Sequence, residues 1–348
     1  MSFDYKNNSL DFVRNFAVIQ VILGHYFMFY EKLSENPILP LNWFGGMITL
    51  FSISGFLAIP SIEKIIQSKP AETYWTVIKT YLKSRFQRIL PPYYLCCVVS
   101  AIYILITYPY KPRIKDFLLW IISTLSAFHI TPEYLGNYAS GSTNGSMWSI
   151  FVILQFYLFI AFFYKIIKNM SKFSCIFMIF TSVILNVWCG YFCRENPYSR
   201  ISKIISRSLI PYLYFFLIGV AIYKYKDKLL PFLSRYWYLI LSLYVILQVG
   251  LMNLYIPIGH YTNPFVGTTL CVVSVTMGYI PIIKNYRIKN DISYELILYH
   301  FPIMNALIFY GVSPGGHALF MMISFTVVIS LLAKYVVNNT LYRRIRTK

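Results

Sequence analysis

Charge is scarce in this sequence, and acidic charge scarcer still. Charged residues make up 12% of the 348, with 12 Asp and Glu against 31 Lys and Arg. A soluble domain carries about 25% charged residues, so this shortage, beside 57% hydrophobic residues, excludes an ordinary water-soluble fold. Cysteine is limited to positions 96, 97, 175, 189, 193 and 271, all within or beside apolar runs and none in C-x-x-C spacing. That argues against a disulfide framework and for packing. The five histidines lack metal-ligand spacing too, so no metal is expected. No repeat of about 20–50 residues is present, which argues against a solenoid, and there is no low-complexity tract or appended soluble domain. A cleavable signal is also missing: the first apolar run carries Asp11 and Arg14 and leads to no small-residue cleavage site.

What remains is apolar runs. They fall near residues 10–29, 43–62, 89–107, 147–164, 173–193, 209–223, 236–256, 265–283, 291–311 and 317–337. A span of about 20 residues crosses a hydrocarbon core of about 30 Å, so the expectation is an all-α polytopic bundle of ten transmembrane helices, a single membrane-embedded domain over 1–348. The stretch 114–130 is short for a crossing and reads as re-entrant or interfacial. With it uncrossed and both termini cytoplasmic, roughly two thirds of the 31 Lys and Arg fall in inside loops, as the positive-inside rule asks. The net charge of +19 then reflects inside loops and contact with anionic membrane lipid, and nucleic acid is not an expected partner.

Within this apolar background, ionisable groups stand out. The first span, LDFVRNFAVIQVILGH, holds Asp11, Arg14 and His25. At about 100° per residue, steps of three and eleven keep all three near one helical stripe. Intramembrane ionisable groups normally face a bundle interior or a wet cavity and mark a site. An interfacial Asp–Arg pair with a separate interior histidine explains the same spacing equally well. The ninth span, DISYELILYHFP, places Glu295 and His300 ahead of Pro302, with His300 at a depth comparable to that of the first-span stripe. Two histidines at that depth can share a cavity and take part in proton chemistry.

Two further stretches carry candidate groups. TYLKSRFQRILPPYYL presents Lys83, Arg85 and Arg88 just before a prolyl pair. Guanidinium forks at i, i+3 suit a phosphorylated ligand, whereas basic side chains snorkelling to lipid phosphates are the plainer account. FSISGFL sets Ser52, Ser54 and Gly55 in the second span, where small residues permit close helix packing or line a passage.

Taken together and in order, five stretches resemble the acyltransferase family 3 membrane proteins, which include bacterial O-acetyltransferases of O-antigen and other surface polysaccharides. The first span resembles the family's opening helix, in which ten residues separate an arginine from a histidine, here Arg14 and His25. FSISGFL resembles its SGF element, RFQRILPPYY its R-x-x-R element, and ISYELILYHFP its late S-Y-x-x-x-Y-x-H-x-P element. GSMWSIFVILQFYL resembles the block that supplies Trp148, Ser149, Gln155 and Tyr157. Two departures stand out. Val152, Ile153 and Leu154 occupy the place where the family commonly has acidic residues, and Asn338 and Asn339 lie where it often ends its last helix with a glutamate before a proline.

The resemblance implies an integral protein of the bacterial cytoplasmic membrane. It would transfer an acyl group, usually acetyl, from cytoplasmic acyl-CoA as co-substrate to a hydroxyl of a cell-surface glycan or its lipid-linked saccharide precursor. It implies catalytic roles for His25, Arg14 and Asp11, donor binding by Arg85, Arg88 and Lys83, and supporting roles for Ser54, Trp148, Gln155 and His300. A transporter or flippase for a glycan or small metabolite is the competing class. Buried charges suit it, while the lack of internal repeats and of paired interrupted helices counts against it.

Overall fold

The computed structural model describes residues 7–31, 44–108, 113–126, 128, 131–252, 263–283, 286, 288 and 290–339. Lys32, Lys111, His129 and His260, much of the 284–290 loop and the basic segment 340–348 lie outside these residues. Among the described residues the structure is helical and without strands. Its helices are α1 (Leu10–His25), α2 (Gly45–Ser68), α3 (Tyr74–Thr107), α4 (Ile114–Leu125), α5 (Trp148–Asn169), α6 (Lys172–Glu195) and α7 (Arg200–Ile205). They continue with α8 (Leu213–Lys224), α9 (Lys226–Arg235), α10 (Trp237–Met252), α11 (Pro264–Met277), α12 (Ser293–Phe309) and α13 (Gly316–Val337). Among the described residues, six helices are long and apolar enough to cross a membrane, or seven if α9 and α10, bent by 77° at their junction, count as one span. The others of the ten apolar runs hold shorter helices.

Three elements differ from a plain run of spans. α3 begins at Tyr74 and continues through Pro91 and Pro92, so Lys83, Arg85 and Arg88 lie along a 34-residue helix and not at its mouth. Helix-interior prolines are tolerated in membrane helices because neighbours can satisfy the freed backbone groups. α4 is 12 residues long, about 18 Å at 1.5 Å per residue, too short to cross. α1 ends in a π turn, Tyr26–Tyr30, directly after His25.

The chain divides into two compact units. Unit 1 holds residues 1–20, 38–84 and 152–289, and unit 2 holds 21–37, 85–151 and 290–348. In unit 1, α2 and α8 meet backbone to backbone. A Cβ at Gly55 would collide with the carbonyl of Phe216, and one at Gly219 with the carbonyl of Ser52. Glycine is needed at both for that approach. Ser52 Oγ donates to the Cys271 carbonyl at 3.1 Å, and the hydroxyls of Thr49 and Ser274 are 2.8 Å apart, which ties α11 to α2. Ser9 Oγ donates to the carbonyl of Ile283, and Ser9 N to that of Gly278 at 2.8 Å.

In unit 2, α4 runs antiparallel to the second half of α3. The Tyr93 and Tyr94 hydroxyls donate to the last-turn carbonyls of Thr124 and Leu125 at 3.0 and 2.8 Å, and Trp120 packs with Ile104 further along. The last carbonyls of a helix lack their usual i+4 donors, and the two tyrosines supply partners for them. Residues 131–147 then descend along α12 without regular helix beyond the single turn Glu133–Leu135. Tyr138 packs on Phe309, while Asn144 reaches Leu298, eleven residues or about 16 Å back along α12.

Candidate active site

The site grows from a proline in the middle of an apolar helix. Pro302 has no N–H, so the carbonyl of Leu298 one turn earlier loses its intrahelical donor. Asn144 Nδ2 replaces it at 2.8 Å, with Cys96 Sγ also on that oxygen at 3.3 Å. Ser146 Oγ lies 2.8 Å from the adjacent Ile297 carbonyl and 2.6 Å from Asn144 Oδ1, and its single hydrogen is shared between these two acceptors. Further along, Asn305 Nδ2 donates to the Ser142 carbonyl at 2.7 Å and its Oδ1 accepts from Ser140 Oγ at 2.6 Å. Non-helical backbone survives at this depth because its polar groups are met inside the protein.

This seam fixes α12 on both sides of His300. The imidazole is wholly buried, and its Nδ1 lies 3.0 Å from the Leu296 carbonyl. Its Nε2 lies 2.7 Å from Nδ1 of His25, which is 5% exposed. The rings are nearly parallel, 9° apart with centroids separated by 5.1 Å. Phe301 and Phe29 stand edge-on to His25 at 5.4 and 5.8 Å. Gly145 lets the Phe301 ring lie against the chain, since a Cβ there would approach a ring carbon to 2.6 Å.

The end of α1 is held equally firmly. The Tyr26 hydroxyl donates to the Gly315 carbonyl at 2.8 Å and accepts from the Gly315 N–H at 2.8 Å. At φ 140°, Gly315 adopts a backbone conformation that side-chain-bearing residues rarely take. Tyr30 donates to the Val312 carbonyl at 2.6 Å. Two tyrosines of the π turn thus dock on the turn between α12 and α13, and the histidine just before them is aimed by that docking.

The remaining candidates are placed elsewhere. In unit 1, Arg14 Nη2 pairs with Asp11 Oδ1 at 2.5 Å on the first turn of α1, with Arg14 17% and Asp11 47% exposed. Lys83 is exposed, and Ser54 is half-buried beside the Ser52–Gly55 packing contact. Gln155 clamps the chain ahead of α8: its Nε2 donates to the Arg207 carbonyl at 2.9 Å and its Oε1 accepts from Leu209 N at 3.0 Å. Burial lowers the pKa of the Arg207 guanidinium. In unit 2, Trp148 and Arg85 are half-buried and Arg88 is exposed. Glu295, near the start of α12, is buried.

Sequence reasoning overlooked Asn144, Ser146 and Asn305. The signal available was Pro302 itself, because a proline inside a buried helix implies a carbonyl in need of a donor. A cavity of about 300 Å³ lies between α3 and α4, walled by Val98, Ala101, Ile102, Phe117 and Ile121, and reaches Asn144 and Met147. Among the described residues, no group of three or more His, Cys, Asp or Glu is placed to hold a metal ion.

Against known proteins, a family model described as an acyltransferase domain, that of acyltransferase family 3, matches residues 7–337. No curated protein and no solved structure matches the chain.

Proposed function

The chain belongs to acyltransferase family 3, whose model runs over nearly its whole length, and from that premise we propose that it is an O-acyltransferase acting in the bacterial cytoplasmic membrane. It moves an acetyl group from cytoplasmic acetyl-CoA to a hydroxyl of a cell-surface glycan or its lipid-linked precursor. The chain works as one membrane domain of ten spans with both ends inside.

The observation that carries this reading is the hydrogen-bonded His25–His300 pair, buried in unit 2. A buried imidazole with an oriented partner is suited to take a hydroxyl proton as the oxygen attacks a thioester. Arg14, aligned by Asp11, binds the donor or meets negative charge developing in the reaction. Arg85, Arg88 and Lys83 receive the phosphates of the coenzyme. The apolar cavity beside Asn144 suits the hydrocarbon part of a lipid-linked acceptor.

The test is acyl-CoA turnover together with ester formation on glycan, measured in membranes holding equal amounts of wild-type and His25→Ala protein. Turnover in the variant is expected to fall by about 10²–10⁴-fold, the usual worth of a general base. Activity near wild type would remove His25 from the reaction. Movement of a glycan without ester formation would replace the enzyme by a carrier. Arg85→Lys, which keeps the charge and loses the fork, is expected to weaken donor affinity without altering kcat.

A further inference from the structure

We propose that His300 is a positioning residue that sets the tautomer of His25 and thereby makes Nε2 of His25 the proton-accepting atom. The inference rests on the acyl-transfer reading and assigns an atom within it.

A backbone carbonyl only accepts, so Nδ1 of His300, 3.0 Å from the Leu296 oxygen, carries a hydrogen. In a neutral imidazole the other nitrogen then holds the lone pair, so Nε2 of His300 is an acceptor. It faces Nδ1 of His25 at 2.7 Å, and that atom must be the donor. By the same rule, the lone pair of neutral His25 resides on Nε2. The sequence of bonds, His25 Nδ1–H to His300 Nε2 and His300 Nδ1–H to Leu296 O, runs one way only.

The same atoms explain why a histidine, and not a carboxylate, stands behind the base. A lone ionised carboxylate buried among Phe29, Phe301 and aliphatic side chains would carry a large desolvation cost. Two neutral imidazoles carry none of it between turnovers. During the reaction the acceptor O–H proton passes to Nε2 of His25 while the oxygen forms the new C–O bond to the thioester carbon. The C–S bond breaks, and the departing thiolate takes that proton back from Nε2. While His25 is charged, its Nδ1–H bond to His300 shortens the excursion and spreads the charge. His300 touches neither substrate.

The Pro302 seam is part of this device. Asn144 and Ser146 hold the Leu298 and Ile297 carbonyls, so α12 keeps its course from Leu296 to His300. The imidazole therefore meets its own helix carbonyl and His25 at once.

Two measurements test the proposal on the full-length protein. In ¹⁵N spectra of histidine-labelled wild-type protein, His25 is expected to carry its hydrogen on Nδ1, with Nε2 at the shift of an unprotonated nitrogen. A hydrogen on Nε2 of His25 overturns the proposal, and no variant has to fold for that result. In acyl-transfer assays at matched abundance and thermal stability, His300→Leu is expected to lower kcat by about 10²-fold or more with KM within about twofold, as for loss of an oriented base. His300→Gln, whose carbonyl oxygen can still accept from His25 Nδ1, is expected to recover at least about tenfold of that loss. Equal activity of the Gln and Leu variants overturns the positioning role. An unaffected His25→Ala enzyme would defeat the catalytic reading instead, while leaving the spectroscopic assignment intact.

Discussion

Unit 1 and unit 2 both bury polar groups among apolar helices, and they use them in opposite ways. In unit 1, Ser52 and Thr49 bond from helix to helix, and Gly55 and Gly219 remove side chains so that α2 and α8 can touch. There the polar side chains run from one helix to the next and add modest glue of about 1 kcal/mol each. In unit 2, Pro302 breaks a backbone bond inside α12, and Asn144 must repair it from outside the helix. The first set of side chains joins helix to helix, and the second replaces a bond missing inside one helix. The histidine pair sits in unit 2.

Three substitutions separate the two uses, taken from the largest expected effect downward. Gly219→Ala drives a methyl into the Ser52 carbonyl, and because backbone yields little, a loss of about 1–3 kcal/mol or more is expected, with sharply reduced folded protein in the membrane fraction. Wild-type yield and melting temperature for this variant would mean that the α2–α8 contact is looser than described. Asn144→Ala leaves the Leu298 oxygen to the weak thiol donor of Cys96 and should cost about 1–3 kcal/mol. In a Pro302→Ala background the helix regains an N–H for that oxygen, so the cost of Asn144→Ala should shrink by at least about 1 kcal/mol, measured as a double-mutant cycle on thermal stability. Additive effects would show that Asn144 is not there to mend the proline. Smallest is Ser52→Ala: a fall of about 1 kcal/mol in stability with unchanged kcat. A large kcat effect there would erase the distinction between the units.

Much of the fold can be read in the chain, because hydropathy reports helices directly where no water competes for the backbone. Each of the ten apolar runs contains helix, and the short run at 114–130 holds the 12-residue α4 in its first part. The course of α3 through Pro91 and Pro92 is less legible, since proline reads as a helix boundary unless neighbours can absorb it. α9 is hidden for another reason: Lys226, Asp227, Lys228 and Arg235 make its stretch read as a basic loop, yet it is helical and meets α10 at a 77° bend. Of the site, matched depths allow His25 and His300 to share a cavity, but the direction of the 2.7 Å bond depends on a carbonyl four residues away. Asn144 and Ser146 were hidden by the opposite rule: in GSTNGS a polar, turn-rich string reads as solvent-facing loop. Here it is polar because a helix needs its donors.

The π turn after His25 adds a consequence for length variation. A π turn is an α-helix with one residue too many, so the extra residue among Tyr26–Tyr30 sets the rotational phase of everything beyond it. Removing any single residue there would restore ordinary winding and swing Tyr26 or Tyr30 by about 100° away from Gly315 and Val312. The spacing between His25 and the α12–α13 turn is in that sense a count and not a distance: compensating substitutions can adjust side chains, but only an insertion can return the phase.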